Sequence, residues 1–143
     1  MQENTSKENT KHIRVLHLNV GCLYEFLENC SESLKSFRYF NKRKPEDAIK
    51  NHVVTYVIYK KGEAAAYGHL DREVDTVWLG ICVADSFIGQ GLGREMMNLL
   101  VNSYTGTIKL SVDPYNLAAI SLYKKFGFKE SSRQEDIIFM VRK

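Results

Sequence analysis

A strand, a turn rich in glycine and a helix follow one another directly over residues 77–100, and this succession constrains the fold more than any other feature. The first part, VWLGICV, is apolar and contains β-branched residues, which is typical of a buried strand. Glycines then occupy alternate positions, Gly89, Gly91 and Gly93, and an apolar stripe at helical spacing begins at Leu92. Glycine is a poor helix former, so its use here indicates either a tight turn or the close approach of a ligand to the backbone.

The remaining apolar pattern predicts a mixed sheet flanked by helices, of the α/β or α+β class. Strands are predicted at residues 13–18, 52–59, 64–70, 76–83, 107–112 and 137–141. Helices are predicted at residues 20–29, after the glycine turn, and from Asn116 to a stop at Gly127, with a weaker helical region from Ser31 and a helix start at Pro45. The polar residues 1–12 predict a disordered tail, which leaves residues 13–143 as one domain.

Composition argues against several classes of protein. The net charge of +3 is small and its basic residues are dispersed, which argues against a nucleic-acid partner. Three cysteines without a CxxC spacing argue against a disulfide framework and against a bound metal. The chain has no run of about 18 apolar residues that would cross a membrane, and its start lacks the apolar core of a secretion signal. These features predict a cytoplasmic protein with no metal and no membrane partner.

The glycine turn can be compared with the known phosphate-binding patterns. The pattern GxxxxGK[ST] is not met, because no lysine here precedes Ser or Thr, and GxGxxG is not met, because position 94 is Arg94. In the remaining pattern, G-x-G-x-G, the backbone amides of residues 88–93 are expected to face one way at the helix N-terminus. That geometry suits a pyrophosphate, and the helix dipole adds partial positive charge. A tight turn with a glycine-rich cap explains the same residues, and the spacing alone does not choose between the two.

A second motif, NLAAISLYKKFGF, lies downstream of the glycine turn. Together the two segments resemble the GNAT superfamily of acyl-CoA-dependent N-acyltransferases, in which an aliphatic-small-Val triplet precedes a turn of the form [RQ]xxGx[GA] and a segment NxxAIxLYxxxGF follows. The second segment is matched at Asn116, Ala119, Ile120, Leu122, Tyr123, Gly127 and Phe128. The resemblance implies a mostly antiparallel central sheet flanked by helices and splayed near the middle to admit acetyl-CoA.

The resemblance also implies which residues bind acetyl-CoA, the co-substrate. Main-chain groups of Ile81, Cys82 and Val83 are expected to pair with the pantetheine arm, as an added strand does. The turn and the start of its helix are expected to bind the pyrophosphate through Ile88, Gly89, Gln90, Gly91, Leu92, Gly93 and Arg94. Ile88 departs from the family pattern, which has Arg or Gln there, so Arg94 is the one nearby cation that the sequence indicates.

Catalytic roles follow from the same resemblance and from the chemistry of acyl transfer. Asn116 is expected to hydrogen-bond the cofactor arm, and Tyr123 is expected to protonate the departing sulfur. For the base that takes the amine's proton, we select His69, which shares one strand face with Tyr67 and Asp71. Structural alternatives remain open for all three: a helix N-cap for Asn116, a packed core aromatic for Tyr123 and an ordinary polar-face histidine for His69.

The acceptor is predicted from the segment SFRYFNKRK, where cationic and aromatic residues occur together. Arg38 and Arg43 suit an acceptor that carries phosphate, such as a nucleotide-linked amino sugar, although a solvated basic loop explains them equally. We therefore predict N-acetylation of a primary amine on a small molecule, by a monomer or a homodimer. The alternatives are acetylation of a protein or peptide N-terminus and a non-catalytic sensor that binds acyl-CoA.

Overall fold

The computed structural model describes residues 10–143, in which seven strands form one sheet in the order β1-β2-β3-β4-β5-β7-β6. The strands are β1 (Thr10–Arg14), β2 (His52–Lys60), β3 (Glu63–Glu73), β4 (Thr76–Val83), β5 (Ile108–Val112), β6 (Lys129–Gln134) and β7 (Ile137–Arg142). Neighbouring strands are antiparallel except for β4 and β5, which are parallel. The predicted mixed, mostly antiparallel sheet is confirmed.

Helices cover both faces of this sheet. They are α1 (Gly21–Glu28), α2 (Pro45–Ala48), α3 (Leu92–Val101) and α4 (Leu117–Lys125). Helix α3 lies so close to β3 that a Cβ at Gly68 would be 2.5 Å from the Met96 side chain. Helix α1 covers the opposite face, where Phe26 stacks on Tyr67 with ring centroids 5.8 Å apart. Consecutive side chains of a strand alternate between faces, so Tyr67, His69 and Asp71 all lie on the α1 face.

The sheet opens between β4 and β5. These strands pair only through Val77 with Ile108 and Trp78 with Lys109. Beyond that point β4 continues to Val83 along β3, and β5 continues to Val112 along β7, so the two strands part toward their carboxyl ends. The splayed sheet implied by the sequence is therefore present, and we call the gap beside residues 79–83 the β4–β5 opening.

The structure corrects several predicted boundaries. Residues 10–12, placed in the predicted tail, belong to β1, while residues 1–9 of that tail lie outside the described residues. The weak helical region after Ser31 contains only short 3₁₀ turns before α2. Strand β6, with the sequence KESSRQ, was not predicted because all its side chains are polar and exposed, and hydrophobic periodicity cannot detect such an edge strand. Among the described residues, no helix is long and apolar enough to cross a membrane.

Candidate active site

The glycine turn before α3 combines two residues of left-handed backbone conformation. Gly89 has φ +86° and Gly91, the N-cap of α3, has φ +83°. A Cβ built on either residue meets no atom within 4 Å, so the space beside the turn is open. Gly93 differs, because its Cβ would be 3.2 Å from Leu122 of α4. The first two glycines therefore shape an accessible turn, whereas the third permits two helices to pack closely.

A cation that the sequence did not indicate lies at this turn. Lys60, at the end of β2, donates from Nζ to Oε1 of Gln90 at 2.7 Å. Ile88 is 63% exposed, so its side chain is directed outward and not into the core. Arg94 is also exposed, in the first turn of α3. The only sequence signal for Lys60 was its place before the Lys61-Gly62 hairpin turn, which says nothing about a contact thirty residues away.

The main chain of β4 is directed alternately toward its two neighbours. The amide of Ala84 donates to the carbonyl of Ala65 at 2.8 Å, which sets the phase of the antiparallel ladder between β3 and β4. By the alternation of such a ladder, the backbone groups of Cys82 are directed toward β3 and those of Ile81 and Val83 toward the β4–β5 opening. Two members of the predicted triplet thus present their main chain to the opening.

Helix α4 brings Tyr123 close to this opening. Gly93 of α3 packs on Leu122, so the first turn of α3 contacts α4. Tyr123 is 6% exposed, with its ring centroid 6.0 Å from that of Phe128. Burial raises the pKa of Tyr123 above its usual value, and the thiol of Cys82 raises it further, so the phenol stays protonated at neutral pH.

The Tyr123 hydroxyl is accessible even though the ring is buried. No other described residue hydrogen-bonds it, while every fully buried polar side-chain atom of the described residues has a partner. The hydroxyl therefore reaches the surface and is free to donate to a ligand. Asn116 is the N-cap of α4, and its Oδ1 accepts from the Ala119 amide at 3.3 Å. The side-chain oxygen of Asn116 is thus used in the N-cap, and its NH₂ group is available to bind a ligand.

The two arginines predicted to bind the acceptor both have partners within the chain. Arg38 forms a two-pronged ion pair with the buried carboxylate of Asp113, at 3.1 and 3.4 Å, which raises the pKa of the guanidinium. Arg43 lies 3.6 Å from the carboxylate of Glu73 and stacks over the ring of Tyr39 at 4.2 Å. Arg38 therefore ties the segment SFRYFNKRK to the end of β5, next to α4.

His69 lies in a buried cluster on the α1 face. It is 2% exposed, and its Nδ1 is 2.6 Å from the hydroxyl of Tyr67. The rings of Tyr39 and His52 are 4.2 and 4.6 Å from it, between centroids. Burial lowers the pKa of His69 well below its usual value, and the neighbouring His52 and Arg43 lower it further, so the imidazole is neutral.

A match to a family model decides the identity of the fold. Residues 18–128 match the model of the Acetyltransferase (GNAT) family. The chain belongs to this family. The predicted recognition and the acetyl-CoA-dependent acetyltransferase activity are thereby confirmed at the level of the family, and acetyl-CoA is its co-substrate. No group of three metal-ligating side chains that would hold an ion occurs in the part of the chain that the structure describes.

Solved GNAT structures resemble the chain over most of its length. The ribosomal-protein-S18-alanine N-acetyltransferase of Escherichia coli is 21% identical, with a TM-score of 0.69 over 93% of this chain and 92% of that one. The protein yncA of Salmonella typhimurium, solved with its cofactor acetyl-CoA, is 18% identical, with a TM-score of 0.72 and coverage of 93% and 92%. These likenesses confirm the GNAT fold. A search of the curated proteins finds no match.

Family membership does not test the individual site residues. The roles of Tyr123, His69, Asn116 and the turn residues in this GNAT chain stay predictions, as do those of Arg38 and Arg43. The geometry agrees with acetyl-CoA binding at two points: an open turn with left-handed glycines, and a strand whose main chain is directed into the β4–β5 opening. The residues present therefore fit the co-substrate of the family.

Proposed function

We propose that this protein transfers the acetyl group of acetyl-CoA to a primary amine of a small molecule, by direct attack of the amine while both substrates are bound. The observation that carries the proposal is the accessible, unpaired hydroxyl of Tyr123 beside an opening in the sheet. Acetyl-CoA supplies an acetyl group activated as a thioester. Tyr123 acts as the acid that assists departure of the sulfur.

Cofactor binding is assigned to main-chain groups and one side-chain cation. The amides around Gly89 and Gly91 bind the pyrophosphate, and the positive end of the α3 dipole adds to the attraction. Lys60 provides a positive charge next to the turn, where Ile88 provides none. Ile81 and Val83 pair with the pantetheine arm across the β4–β5 opening, and the NH₂ group of Asn116 hydrogen-bonds it from the α4 side.

In the reaction, the amine must lose a proton and the departing sulfur must gain one. The amine nitrogen must be neutral to attack, so it first loses a proton, because a primary ammonium has a pKa near 10. The amine nitrogen forms a bond to the acetyl carbon, and the bond between that carbon and the sulfur breaks. Tyr123 donates its proton to the departing sulfur and then recovers a proton from solvent. The buried, neutral phenol is suited to this task because its pKa is raised and it remains protonated.

The acceptor is assigned from the two arginines, Arg38 and Arg43. A phosphate-bearing acceptor, such as a nucleotide-linked amino sugar, requires Arg38 to exchange Asp113 for phosphate or Arg43 to exchange Glu73. Because the Arg43 pair is exposed and longer, Arg43 is the arginine better placed to make that exchange. A polypeptide N-terminus is the second candidate, since two structural neighbours are named as ribosomal-protein alanine acetyltransferases.

The test is a screen for release of free CoA from acetyl-CoA. The panel contains amino sugars, their nucleotide conjugates, short peptides with free N-termini and aminoglycoside antibiotics. Amine-dependent CoA release supports the enzyme, and the preferred amine names the acceptor class. Tight binding of acetyl-CoA without CoA release from any amine would instead support a sensor. If acetyl-CoA does not bind at all, the proposed function is wrong.

A further inference from the structure

The environment of Gly80 on β4 brings an imidazole onto the backbone of that strand. His69 pairs with Gly80 across the β3–β4 ladder. A Cβ at Gly80 would be 2.6 Å from Nε2 of His69 and 3.3 Å from the Phe37 ring. Any side chain at residue 80 would therefore displace the imidazole. The glycine allows the Nε2 edge of His69 to lie directly over β4. This point is one residue before Ile81, where β5 no longer pairs with β4.

The hydrogen bond to Tyr67 determines which nitrogen of His69 carries the proton. Tyr67 is fully buried, and Nδ1 of His69 is the one partner of its hydroxyl among the described residues. An unmatched buried O–H costs about 1–3 kcal/mol, so the phenol donates and Nδ1 accepts. Because the imidazole is neutral, its single proton is then on Nε2. The lone pair of the ring is then on Nδ1. Nε2 can therefore donate a hydrogen bond but cannot act as a base.

The Nε2–H group is accessible. It has no hydrogen-bond partner among the described residues, whereas every fully buried polar side-chain atom in that part of the chain has one. The accessible 2% of His69 therefore includes this nitrogen. Two residues further along β4, the thiol of Cys82 influences the pKa of Tyr123. Since two residues of a strand span about 7 Å, His69 and Tyr123 both lie near the same short stretch of β4.

We infer that His69 determines acceptor specificity as a neutral hydrogen-bond donor, whose Nε2–H binds an oxygen adjacent to the reacting amine of the acceptor. Tyr67 is its positioning residue, because the phenol holds the ring with Nε2–H outward. The inference rests on the proposed function for the identity of the ligand. It favours small-molecule acceptors that carry a carbonyl or carboxylate oxygen next to the amine, as amino-acid amides do, over simple alkyl amines.

The first test measures the tautomer directly. Long-range ¹H–¹⁵N correlation spectra of the whole protein, with His69 assigned by loss of its signals in His69→Gln, are expected to show the proton on Nε2. Tyr67→Phe should abolish that preference, whereas Tyr59→Phe, which removes a hydroxyl bonded to Glu25 instead, should leave it unchanged. A proton on Nδ1 of His69 in the wild type would overturn the inference without any further experiment.

The second test uses two small amines as probes. Protein saturated with CoA is titrated with glycinamide, which has an oxygen beside its amine, and with ethylamine, which has none. Glycinamide should shift the Nε2–H signal of His69 and ethylamine should not. His69→Leu should weaken glycinamide binding about tenfold, the value of one lost hydrogen bond, while His69→Gln, which retains an N–H donor, should remain within about threefold. Equal shifts from both amines, or none from glycinamide, would overturn the inference.

The outcomes separate this inference from the proposed function. If the proton is on Nδ1 while amines still release CoA, the inference fails and the acetyltransferase stands. If glycinamide shifts His69 as expected and no amine of the screen releases CoA, the inference about His69 holds as a binding property and the transferase assignment fails.

Discussion

The Tyr123 hydroxyl is the single group on which the proposed chemistry depends most. Tyr123→Phe removes only that hydroxyl, which has no partner among the described residues, so the variant should fold as the wild type does. We expect kcat to fall at least tenfold, near the lower end for acid catalysis because burial has raised the pKa of this phenol and made it a weaker acid. The acetyl-CoA Kd should change less than about threefold, as expected for a group that acts mainly in the transition state.

The comparison is made by calorimetry for Kd and by CoA release for kcat, under conditions where chemistry limits the rate. Tyr104→Phe is the matched control, because Tyr104 lies outside the β4–β5 opening and contacts Arg72. A Tyr123→Phe enzyme with full kcat would show that Tyr123 only packs against Phe128 and that solvent protonates the sulfur.

Lys60 allows a test of cofactor binding through a side chain. Lys60→Met removes the charge beside the turn and keeps the length of the side chain, so the KM for acetyl-CoA should rise about threefold to tenfold at low salt. Lys61→Met is the matched control, because it removes the same charge at an adjacent exposed position that forms no hydrogen bond or ion pair with the described residues. The two variants should differ less at high salt. Equal effects of both substitutions would show that only the overall charge matters.

For single residues, the sequence predicted turns and helix ends better than it predicted which side chains contact one another. It predicted the glycine turn before α3 and the helix stop at Gly127, because local motifs contain them. It could not predict the ion pair of Arg38 with Asp113 or the contact of Lys60 with Gln90, because those residues are 75 and 30 positions apart. Such contacts depend on how strands and loops meet in three dimensions, and a single sequence does not contain that information in local form.

The element that tests the site most sharply is the turn before α3. Gly91→Val places a β-branched residue at φ +83°, which costs about 1–3 kcal/mol of strain, and its side chain fills the open space beside the turn. We expect acetyl-CoA affinity to fall by at least tenfold. Gln90→Ala should weaken binding much less, since the turn is assigned to bind through its backbone. Calorimetric Kd values that are equally mild for both would remove the pyrophosphate from this turn.

Gly93 should behave differently from Gly91 although both belong to one motif. A Cβ at Gly93 would be 3.2 Å from Leu122, so Gly93→Ala forces α3 and α4 apart by a few tenths of an ångström. The expected effect is a lower free energy of unfolding, by about 1 kcal/mol, typical of overpacking. Urea unfolding measures it, and an unchanged midpoint would show that Leu122 simply rotates away.

Elements were predicted well where their apolar pattern is strong. Strand β4 was predicted with its observed bounds, Thr76–Val83, because it is buried and bounded by polar turns. Strand β3 extends to Glu73, beyond its predicted end, because its pairing with β4 continues through polar residues. Strand β6 was missed altogether, since it is held only by its pairing with β7. The bounds of such edge strands are determined by hydrogen bonding to the neighbouring strand, which the hydrophobic pattern of the sequence does not show.

For the whole molecule, the buried cluster around His52 predicts a dependence of stability on pH. Burial lowers the pKa of His52 to about 4, so the folded protein binds fewer protons than the unfolded chain between pH 4 and 6.5. Stability therefore falls as the pH decreases through that window, and His52 contributes a loss of up to about 2 kcal/mol between pH 7 and 5. His69 acts in the same direction.

Urea unfolding of the wild type and of His52→Gln at pH 7 and pH 5 measures this effect. The variant lacks the titrating group, so its loss of stability between the two pH values should be smaller than that of the wild type. Lys50→Gln, an exposed neighbour with an ordinary surface contact to Asp47, serves as the control. An identical pH dependence in all three proteins would show that His52 is not held neutral by the fold.

Acetyl-CoA is proposed to bind along the β4–β5 opening and the glycine turn, and amide chemical-shift mapping can locate it there. On addition of acetyl-CoA, we predict that the largest shifts occur at the amides of Ile81 and Val83 and across residues 88–93. A cavity of about 310 Å³ that includes none of those residues is lined by His12, Tyr56, Glu95, Asn98, Leu99, Asn102 and Ser103. Shifts concentrated around that cavity, with the turn and β4 unaffected, would show that acetyl-CoA binds elsewhere.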